Sequence, residues 1–212
     1  MTVLPLRTDD GVVIAADVAD PDGPPDAAAV LLHPHPLMGG DRTAPVPAHL
    51  FSHLPAEGIS ALRFDFRGAG GSGGSHGGGE AEVADVRAAV TRAHEHTGAP
   101  VWLVGWSFGA DVSLLCTHEA VAGWVCVTPP LSLGGIGGAA GVDPRTKLVL
   151  VAEHDQFCPP VTATERCARW ENTEVRVIRG ADHFLAGHLG AVAVAVRDAL
   201  LGGPGPHAMP VA

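Results

Sequence analysis

The stretch Val101-Trp102-Leu103-Val104-Gly105-Trp106-Ser107-Phe108-Gly109 decides the fold of this chain. Its first four residues form an apolar run that predicts a buried strand, and residues 110–118 predict a short helix. Between them lies a G-x-S-x-G motif centred on Ser107, the context in which this motif forms a nucleophile elbow. In such an elbow a sharp turn strains the serine backbone and exposes its hydroxyl at the end of a sheet. Small flanking residues let the strand and the helix approach closely.

The residue after the serine carries the second feature of an elbow. The Phe108 N–H falls at a helix N-terminus, where it can donate a hydrogen bond to a developing oxyanion. A glycine-containing turn that holds a serine by chance is the alternative interpretation of the motif. The strand, the helix and the partner residues described below favour the elbow.

The composition limits the classes of protein to which the chain can belong. Its 212 residues are enough for one domain, which we place at residues 1–202, followed by a disordered tail at 203–212. The formal net charge of −10 argues against nucleic acid and against an anionic membrane surface as partners. No run approaches the roughly 20 apolar residues that a membrane helix needs. The N-terminus lacks the pattern of a secretory signal.

The four cysteines indicate the compartment. They show neither a C-x-x-C pair nor zinc-finger spacing, so we interpret them as core thiols of a reduced, cytoplasmic protein: Cys116, Cys126, Cys158 and Cys167. The sequence leaves the oligomeric state open, with a homo-oligomer among the alternatives.

From about residue 28 onward, predicted strands alternate with predicted helices. This alternation demands a mainly parallel sheet with helices on both faces, because crossover connections are right-handed. With a preceding hairpin the sheet has about eight strands. The expected strands are 2–7, 12–19, 28–32, 59–66, 101–104, 123–127, 147–152 and 173–178, and the expected helices are 45–57, 80–96, 110–118, 160–170 and 189–201. The loops that begin at residues 33, 105, 153 and 179 should meet at the carboxyl edge of this sheet.

A serine hydroxyl is a weak nucleophile and needs a base, which in turn needs an orienting acid. After a nucleophile elbow the expected chain order is serine, acid, histidine. His183 follows the last predicted strand at the correct edge, with His188 as the runner-up. Asp155 follows an earlier strand at the same edge, with Glu153 as the alternative acid. We therefore predict a triad of Ser107, Asp155 and His183.

The loop His33-Pro34-His35-Pro36-Leu37-Met38-Gly39-Gly40 should supply the second oxyanion donor. Its prolines lack an N–H, so the candidate donors are the backbone N–H groups of His35, Leu37 and Met38. His33 and His35 also form an H-x-H pair that could belong to a zinc hydrolase, but no H-E-x-x-H motif or cysteine pair supplies a third ligand. We therefore expect no metal and no cofactor, and we assign these histidines a role in shaping the loop.

These motifs resemble those of the α/β-hydrolase superfamily, and most of all the small, lidless bacterial hydrolases with an H-P-H-P-x-x-G-G loop, related to dienelactone-hydrolase-like and esterase-like members. The resemblance covers residues 28–201. It rests on five motifs in order: HPHPLMGG at 33–40, RFDFRGAGGSGG at 63–74, GWSFG at 105–109, EHDQFCP at 153–159 and GADHF at 180–184. The chain departs from dienelactone hydrolases, which use a cysteine nucleophile. It also departs from the common G-D-x-D loop before the acid, which here reads Ala152-Glu153-His154-Asp155.

The resemblance implies an α/β-hydrolase fold and a serine hydrolase that cleaves a carboxylic ester or a related small-molecule acyl substrate through an acyl-enzyme. This fold hosts many chemistries, so the motifs do not fix the substrate. A non-catalytic binding protein of the same fold is the alternative class. The short glycine-rich segment 129–145 leaves no room for a large cap domain, so we expect an open site. Its expected apolar lining, for which plain core positions are the alternative, is Leu37, Met38, Phe108, Leu133, Phe157 and Phe184.

Overall fold

The computed structural model describes residues 2–133 and 139–202, and these residues form one eight-stranded sheet. The strands are β1 (Thr2–Arg7), β2 (Val13–Ala19), β3 (Ala27–Leu32), β4 (Ile59–Phe64), β5 (Val101–Trp106), β6 (Val121–Val127), β7 (Thr146–Ala152) and β8 (Thr173–Ile178). Their order across the sheet is β1-β2-β4-β3-β5-β6-β7-β8. Strand β2 pairs antiparallel with β1 and β4, and the pairings from β4 to β8 are parallel.

Helices cover both faces of this sheet. They are α1 (Pro45–His53), α2 (Glu82–Thr97), α3 (Phe108–Leu114), α4 (Pro160–Cys167) and α5 (Leu189–Leu201). Helices α1 and α5 pack in the core on one face, whereas α2, α3 and α4 pack in the core on the other. Because both faces are covered, the central strands β3 and β5 are buried at every residue, which explains the continuous apolar runs in their sequences.

The parallel strands bring four loops to one edge of the sheet. Strands β3, β5, β7 and β8 run in the same direction, so their carboxyl ends lie together. The segments that follow them are the proline-rich loop at 33–40, the turn at Ser107, the loop at 153–159 and the loop at 179–184. This edge therefore gathers the sequence motifs that carry the predicted chemistry.

The predicted α/β-hydrolase fold, with its mainly parallel sheet and helices on both faces, is confirmed. Four of the five predicted helices differ from their observed bounds by one to four residues, and the differences are largest at two helix ends. The helix after the elbow ends at Leu114 and not at residue 118, because the chain turns back where the Cys116 N–H donates to Ser113 O. The predicted helix at 45–57 consists of α1 followed by a short 3-10 turn.

Two predicted segments lie outside the described residues. These are the tail at 203–212 and residues 134–138 of the glycine-rich segment between β6 and β7. Within the ranges that the structure describes, no helix combines the length and the apolar character required to cross a membrane.

Candidate active site

Ser107 occupies a strained turn between β5 and α3. Its backbone has φ 55° and ψ −121°, a conformation that residues other than glycine rarely adopt. The Ser107 N–H donates to Val127 O on β6 at 2.9 Å, which anchors the turn to the sheet. A Cβ atom on Gly105 would lie 2.4 Å from Gly109 O, and one on Gly109 would lie 2.6 Å from Leu32 O. The turn therefore requires both glycines of the G-x-S-x-G motif.

His183 lies against the Ser107 hydroxyl. Its Nε2 atom is 2.9 Å from Ser107 Oγ, and the residue is 4% exposed. Two side chains hold the backbone of His183 in place, because its carbonyl oxygen accepts from Trp106 Nε1–H at 3.3 Å and from the Thr128 hydroxyl at 3.4 Å. The imidazole is thus fixed beside the serine by Trp106 of the elbow and by Thr128, which follows β6.

Asp155 extends this arrangement into a chain of hydrogen bonds. Its carboxylate oxygens lie 3.1 and 3.0 Å from His183 Nδ1. Its Oδ1 atom also accepts from the N–H groups of Phe157 at 2.9 Å and Cys158 at 3.1 Å. Because an ionised carboxylate only accepts, this network assigns the proton to Nδ1 and leaves Nε2 to accept from the Ser107 O–H. In this tautomer an imidazole can take a proton from a serine.

The alternative residues weighed from the sequence lie elsewhere. His188 pairs its Nδ1 atom with Ala186 O at 2.9 Å, just before α5. Glu153 accepts from the Gly180 N–H at 2.8 Å, and its side chain is 46% exposed. The structure therefore brings together the three residues of the predicted triad and leaves both alternatives outside the group.

The loop after β3 forms a short 3-10 turn over Pro36–Met38. The Leu37 N–H donates to His35 Nδ1 at 3.2 Å, and the Met38 N–H donates to His35 O at 3.0 Å. In the described part of the chain, the His35 N–H donates no hydrogen bond. The prediction of Leu37 as an oxyanion donor is thus corrected, because the turn uses its N–H. His35 is the predicted donor that stays available.

His33 uses both nitrogen atoms of its buried ring. Its Nδ1 atom donates to Pro34 O at 2.6 Å, and its Nε2 atom accepts from the Phe66 N–H at 2.9 Å. Burial lowers the pKa of His33, in agreement with a neutral ring in this position. Among residues 2–133 and 139–202, no group of three or more His, Cys, Asp or Glu side chains could hold a metal ion. The ring of His33 instead ties the proline-rich loop to the segment after β4.

Asp111, near the start of α3, holds the segment after β6. Its Oδ1 atom accepts from the Leu131 N–H at 2.8 Å, and its Oδ2 atom accepts from the Ser132 N–H at 2.8 Å. The residue is 1% exposed, and burial raises its pKa. These bonds fix the backbone that leads to Leu133, the last described residue before residues 134–138.

A cleft of about 560 Å³ opens beside Ser107. The rings of Phe157 and Phe184 belong to its wall, with centroids 4.4 and 5.7 Å from that of His183. Leu37 does not line the cleft and is 74% exposed, so its predicted place in the lining is wrong. The predicted lining residues that do face this cleft are Met38, Phe108, Leu133, Phe157 and Phe184. A concave wall of this mainly apolar kind is typical of sites for small molecules.

Sequence reasoning did not find several residues of this site, among them Trp106, Asp111 and Asp41. Trp106 occupies a variable position of the motif, and Asp41 follows the loop motif, so neither carried a signal. Asp111 did carry one, because it is the only charged residue within the apolar helix sequence FGADVSL. A buried carboxylate there requires hydrogen-bond donors, which the backbone of residues 131 and 132 provides.

The sheet order, the helices on both faces and the serine at the strained β5–α3 turn define an α/β hydrolase. A family model described as "Serine aminopeptidase, S33" matches residues 23–140, which is more than half of the chain. The protein belongs to this family of serine hydrolases. The resemblance to the α/β-hydrolase superfamily that the five motifs indicated is confirmed.

Two known proteins are similar to this chain over most of its length. An uncharacterized protein from Rickettsia prowazekii is 26% identical over 198 residues, which cover 88% of this chain and 82% of that protein. The structure of an α/β serine hydrolase homologue from Coxiella burnetii is 26% identical, with a TM-score of 0.82 over 95% of this chain and 96% of that chain.

A serine hydrolase from Xanthomonas campestris, described as lacking a lid, superimposes with a TM-score of 0.81 over 93% of this chain and 92% of that chain. Its identity is 24%, so this likeness concerns the fold alone. In agreement with the expected architecture, the described residues between β6 and β7 form no cap domain.

Proposed function

We propose that this protein hydrolyses carboxylic esters of small acyl groups, with Ser107 as nucleophile, His183 as general base and Asp155 as orienting acid. The observation that carries the proposal is the chain of hydrogen bonds from Ser107 Oγ through His183 to Asp155, at a strained turn. Hydrolase chemistry in general follows from the family. The ester substrate, the acyl-enzyme and the three roles are the content of this proposal.

In the proposed reaction, Nε2 of His183 transfers the protons while Nδ1 stays hydrogen-bonded to Asp155. Nε2 takes the proton of Ser107 as Oγ attacks the ester carbonyl, and the imidazolium that forms is stabilised by Asp155 at Nδ1. The same Nε2–H then protonates the departing alkoxide, which leaves an acyl group on Ser107. Water, deprotonated by His183, attacks the acyl-enzyme in a second round and releases the acid.

Two backbone groups are assigned to the oxyanion. Phe108 is the first residue of α3, so its N–H has no partner within the helix. The His35 N–H is free of acceptors in the described part of the chain, and both residues line the cleft. The rings of His35 and Phe108 also contact one another, with centroids 4.8 Å apart. Two donors of this kind stabilise the negative charge of a tetrahedral intermediate.

The shape of the cleft supports small or slender acyl groups. Its apolar wall suits an acyl chain, and its open form offers little to exclude water, which favours hydrolysis over acyl transfer. We assign a preference for short to medium chains over long-chain triglycerides. The family description names an aminopeptidase, and amides react through the same steps as esters, so an amide of each acyl group belongs among the test substrates.

A non-catalytic binding protein is the second class to be weighed. The same cleft could hold a ligand without turnover. The hydrogen-bonded triad geometry and the strained serine backbone support the enzyme, because binding alone requires neither.

We further assign the protein to a reducing compartment such as the cytoplasm, with small molecules as substrates. The support is that all four cysteines are free and buried. Burial raises the pKa of Cys116 to about 11 and that of Cys167 to about 12, so both behave as core thiols and not as reactive ones.

The test is a series of p-nitrophenyl esters from acetate to palmitate, with the matching p-nitroanilides. The variants are Ser107→Ala and, as a matched control, Ser52→Ala, which removes an exposed hydroxyl on α1. We expect Ser107→Ala to lose about 10³–10⁶ in kcat and Ser52→Ala to retain wild-type rates. A folded Ser107→Ala protein with near-wild-type activity would overturn the assignment. Rates that rise steadily to the longest esters, with interfacial activation, would overturn the open-cleft account.

A further inference from the structure

One carboxylate in the wall of the cleft has no role in the proposed chemistry. Asp41 lines the cleft that contains Ser107, shortly before α1 begins. Its Oδ1 atom accepts from the Thr43 N–H at 2.7 Å and from the Thr43 hydroxyl at 2.6 Å. Its Oδ2 atom receives no hydrogen bond from any residue that the structure describes. The bond from the Thr43 hydroxyl lowers the pKa of Asp41, so this carboxylate is ionised at neutral pH.

No full positive charge in the wall balances Asp41. None of the described residues that line the cleft is a lysine or an arginine, and residues 134–138 are glycine and isoleucine only. The neighbouring Arg42 also helps to lower the pKa of Asp41, but its guanidinium binds the carboxylates of Asp17 and Asp65, so its one positive charge is shared among three carboxylates. The exposed Arg166 donates to backbone carbonyl groups of the segment after β6, among them Leu131 O at 2.7 Å.

The other charged or titratable groups of the wall leave Asp41 uncompensated. Asp111 has both oxygens occupied by the backbone of residues 131 and 132. His35 accepts at Nδ1, and His183 must be neutral to act as a base, so neither ring is a cation in the reactive state. The N-terminus of α1 adds a partial positive charge of about half a unit. The wall therefore keeps a net negative charge on an otherwise mainly apolar surface.

We propose that the Asp41 carboxylate makes the cleft selective for charge, favouring acyl substrates that carry an ammonium group and disfavouring those that carry a carboxylate. This inference rests on the proposed function, because it concerns the substrate of the same site. The physical basis is that two unit charges a few ångströms apart attract or repel each other even in solvent-exposed surroundings, and an apolar wall beside them strengthens the interaction.

The test compares matched p-nitrophenyl esters. One has a terminal trimethylammonium group, a second has the isosteric tert-butyl group in its place, and a third ends in a carboxylate at a similar chain length. We expect the wild type to favour the cationic over the neutral ester by about three- to tenfold in kcat/KM, and to disfavour the anionic ester by a similar factor. Both factors should shrink as salt is raised, because the Debye length falls to about 3 Å at 1 M.

The decisive variant is Asp41→Asn, whose side-chain oxygen can still accept the two bonds from Thr43. In this variant, the kcat/KM ratios of the cationic ester to the neutral ester and of the neutral ester to the anionic ester should both lie within about twofold of one. The matched control is Asp182→Asn, because Asp182 is an exposed carboxylate of similar local geometry, accepting from the N–H groups of Phe184 and Leu185, and it does not line the cleft. We expect the control to retain the wild-type ratios. Wild-type ratios in Asp41→Asn, or equal shifts in both variants, would overturn the proposal.

A binding measurement separates this proposal from the proposed function. Calorimetric titration of the Ser107→Ala variant with the amides of the same three acyl groups requires no turnover. We expect the cationic amide to bind about three- to tenfold more tightly than its neutral isostere, and Asp41→Asn in the same background to remove the difference. If the esters are not hydrolysed but this difference is present, the reaction assignment fails and the charge selectivity stands. Equal dissociation constants for the three amides would refute the selectivity.

Discussion

The oxyanion assignment can be tested by removing a single backbone N–H. His35 has φ −56° and ψ 121°, and proline fixes φ near −65°, so His35→Pro fits the existing backbone of the loop. The substitution removes an N–H that donates no hydrogen bond to any described residue. It also removes the imidazole, which accepts from the Leu37 N–H and packs on Phe108. A second variant is therefore needed to separate the two losses.

His35→Ala is that second variant, because it loses the ring and keeps the N–H. Loss of the hydrogen bond from the Leu37 N–H to the His35 ring costs about 1 kcal/mol. If this whole cost is paid in populating the active loop conformation, the rate falls roughly fivefold. Loss of one oxyanion donor lowers kcat by about 10²–10³, which corresponds to about 2.7–4 kcal/mol. We therefore expect His35→Pro to be slower than His35→Ala by about two orders of magnitude in kcat, with a much smaller difference in KM.

The assay is steady-state hydrolysis of p-nitrophenyl butyrate by the wild type and both variants. Thermal unfolding of each protein checks that the fold is intact. If folded His35→Pro and His35→Ala have the same kcat, the His35 N–H does not bind the oxyanion. The donor must then be sought elsewhere in the loop.

Further predictions concern the acid, the elbow, an ion pair and metal dependence. Asp155→Asn should lower kcat by about 10³–10⁴, because the amide disturbs the imidazole tautomer of His183. Glu153→Gln should change kcat by less than about threefold. If Glu153→Gln instead loses more activity than Asp155→Asn at equal stability, Glu153 is the orienting acid. Gly109→Ala should lower the free energy of unfolding by about 2–3 kcal/mol, because the new Cβ would meet two backbone carbonyl groups. The measurement is a urea titration, and an unchanged unfolding midpoint would contradict the prediction. The Arg145 guanidinium lowers the pKa of Asp143 to about 2 from 3.8 in the unfolded chain, so Asp143→Asn should cost about 1 kcal/mol of stability above pH 4. That difference from the wild type should vanish as the pH falls from about 4 to 2, and a difference that persists at pH 2 would show that Asp143 acts in another way. Dialysis against a chelator should leave activity unchanged, and a loss restored by zinc would contradict the absence of metal dependence.

The strands were predictable because the central strands lie between two layers of helices. Residues 27–32 and 101–106 are buried along their whole length, so each reads as a continuous apolar run that no surface position interrupts. Helix ends were less predictable, because they depend on contacts that the local sequence does not encode. The helix after Ser107 ends at Leu114 because the chain turns at Cys116, whose thiol packs in the core.

The arrangement of the site was predictable in part. Chain order and strand ends were enough to choose Asp155 and His183 as partners of Ser107, and the structure brings these three side chains together. The choice among loop donors was not predictable, because it depends on a 3-10 turn in which the side chain and carbonyl of His35 accept the following N–H groups. The position of Asp41 in the cleft wall likewise depends on the conformation of the loop that precedes it, which its local sequence does not encode.

The central claim is that Ser107 is the nucleophile. Its most direct test is to label the intact protein with a fluorophosphonate and to locate the adduct by mass spectrometry of the peptides. The account predicts one adduct per chain, on Ser107, formed in step with the loss of ester hydrolysis and absent from the His183→Ala variant on the same timescale. Complete loss of activity with the adduct on another residue, or full esterase activity after Ser107 is labelled, would contradict it.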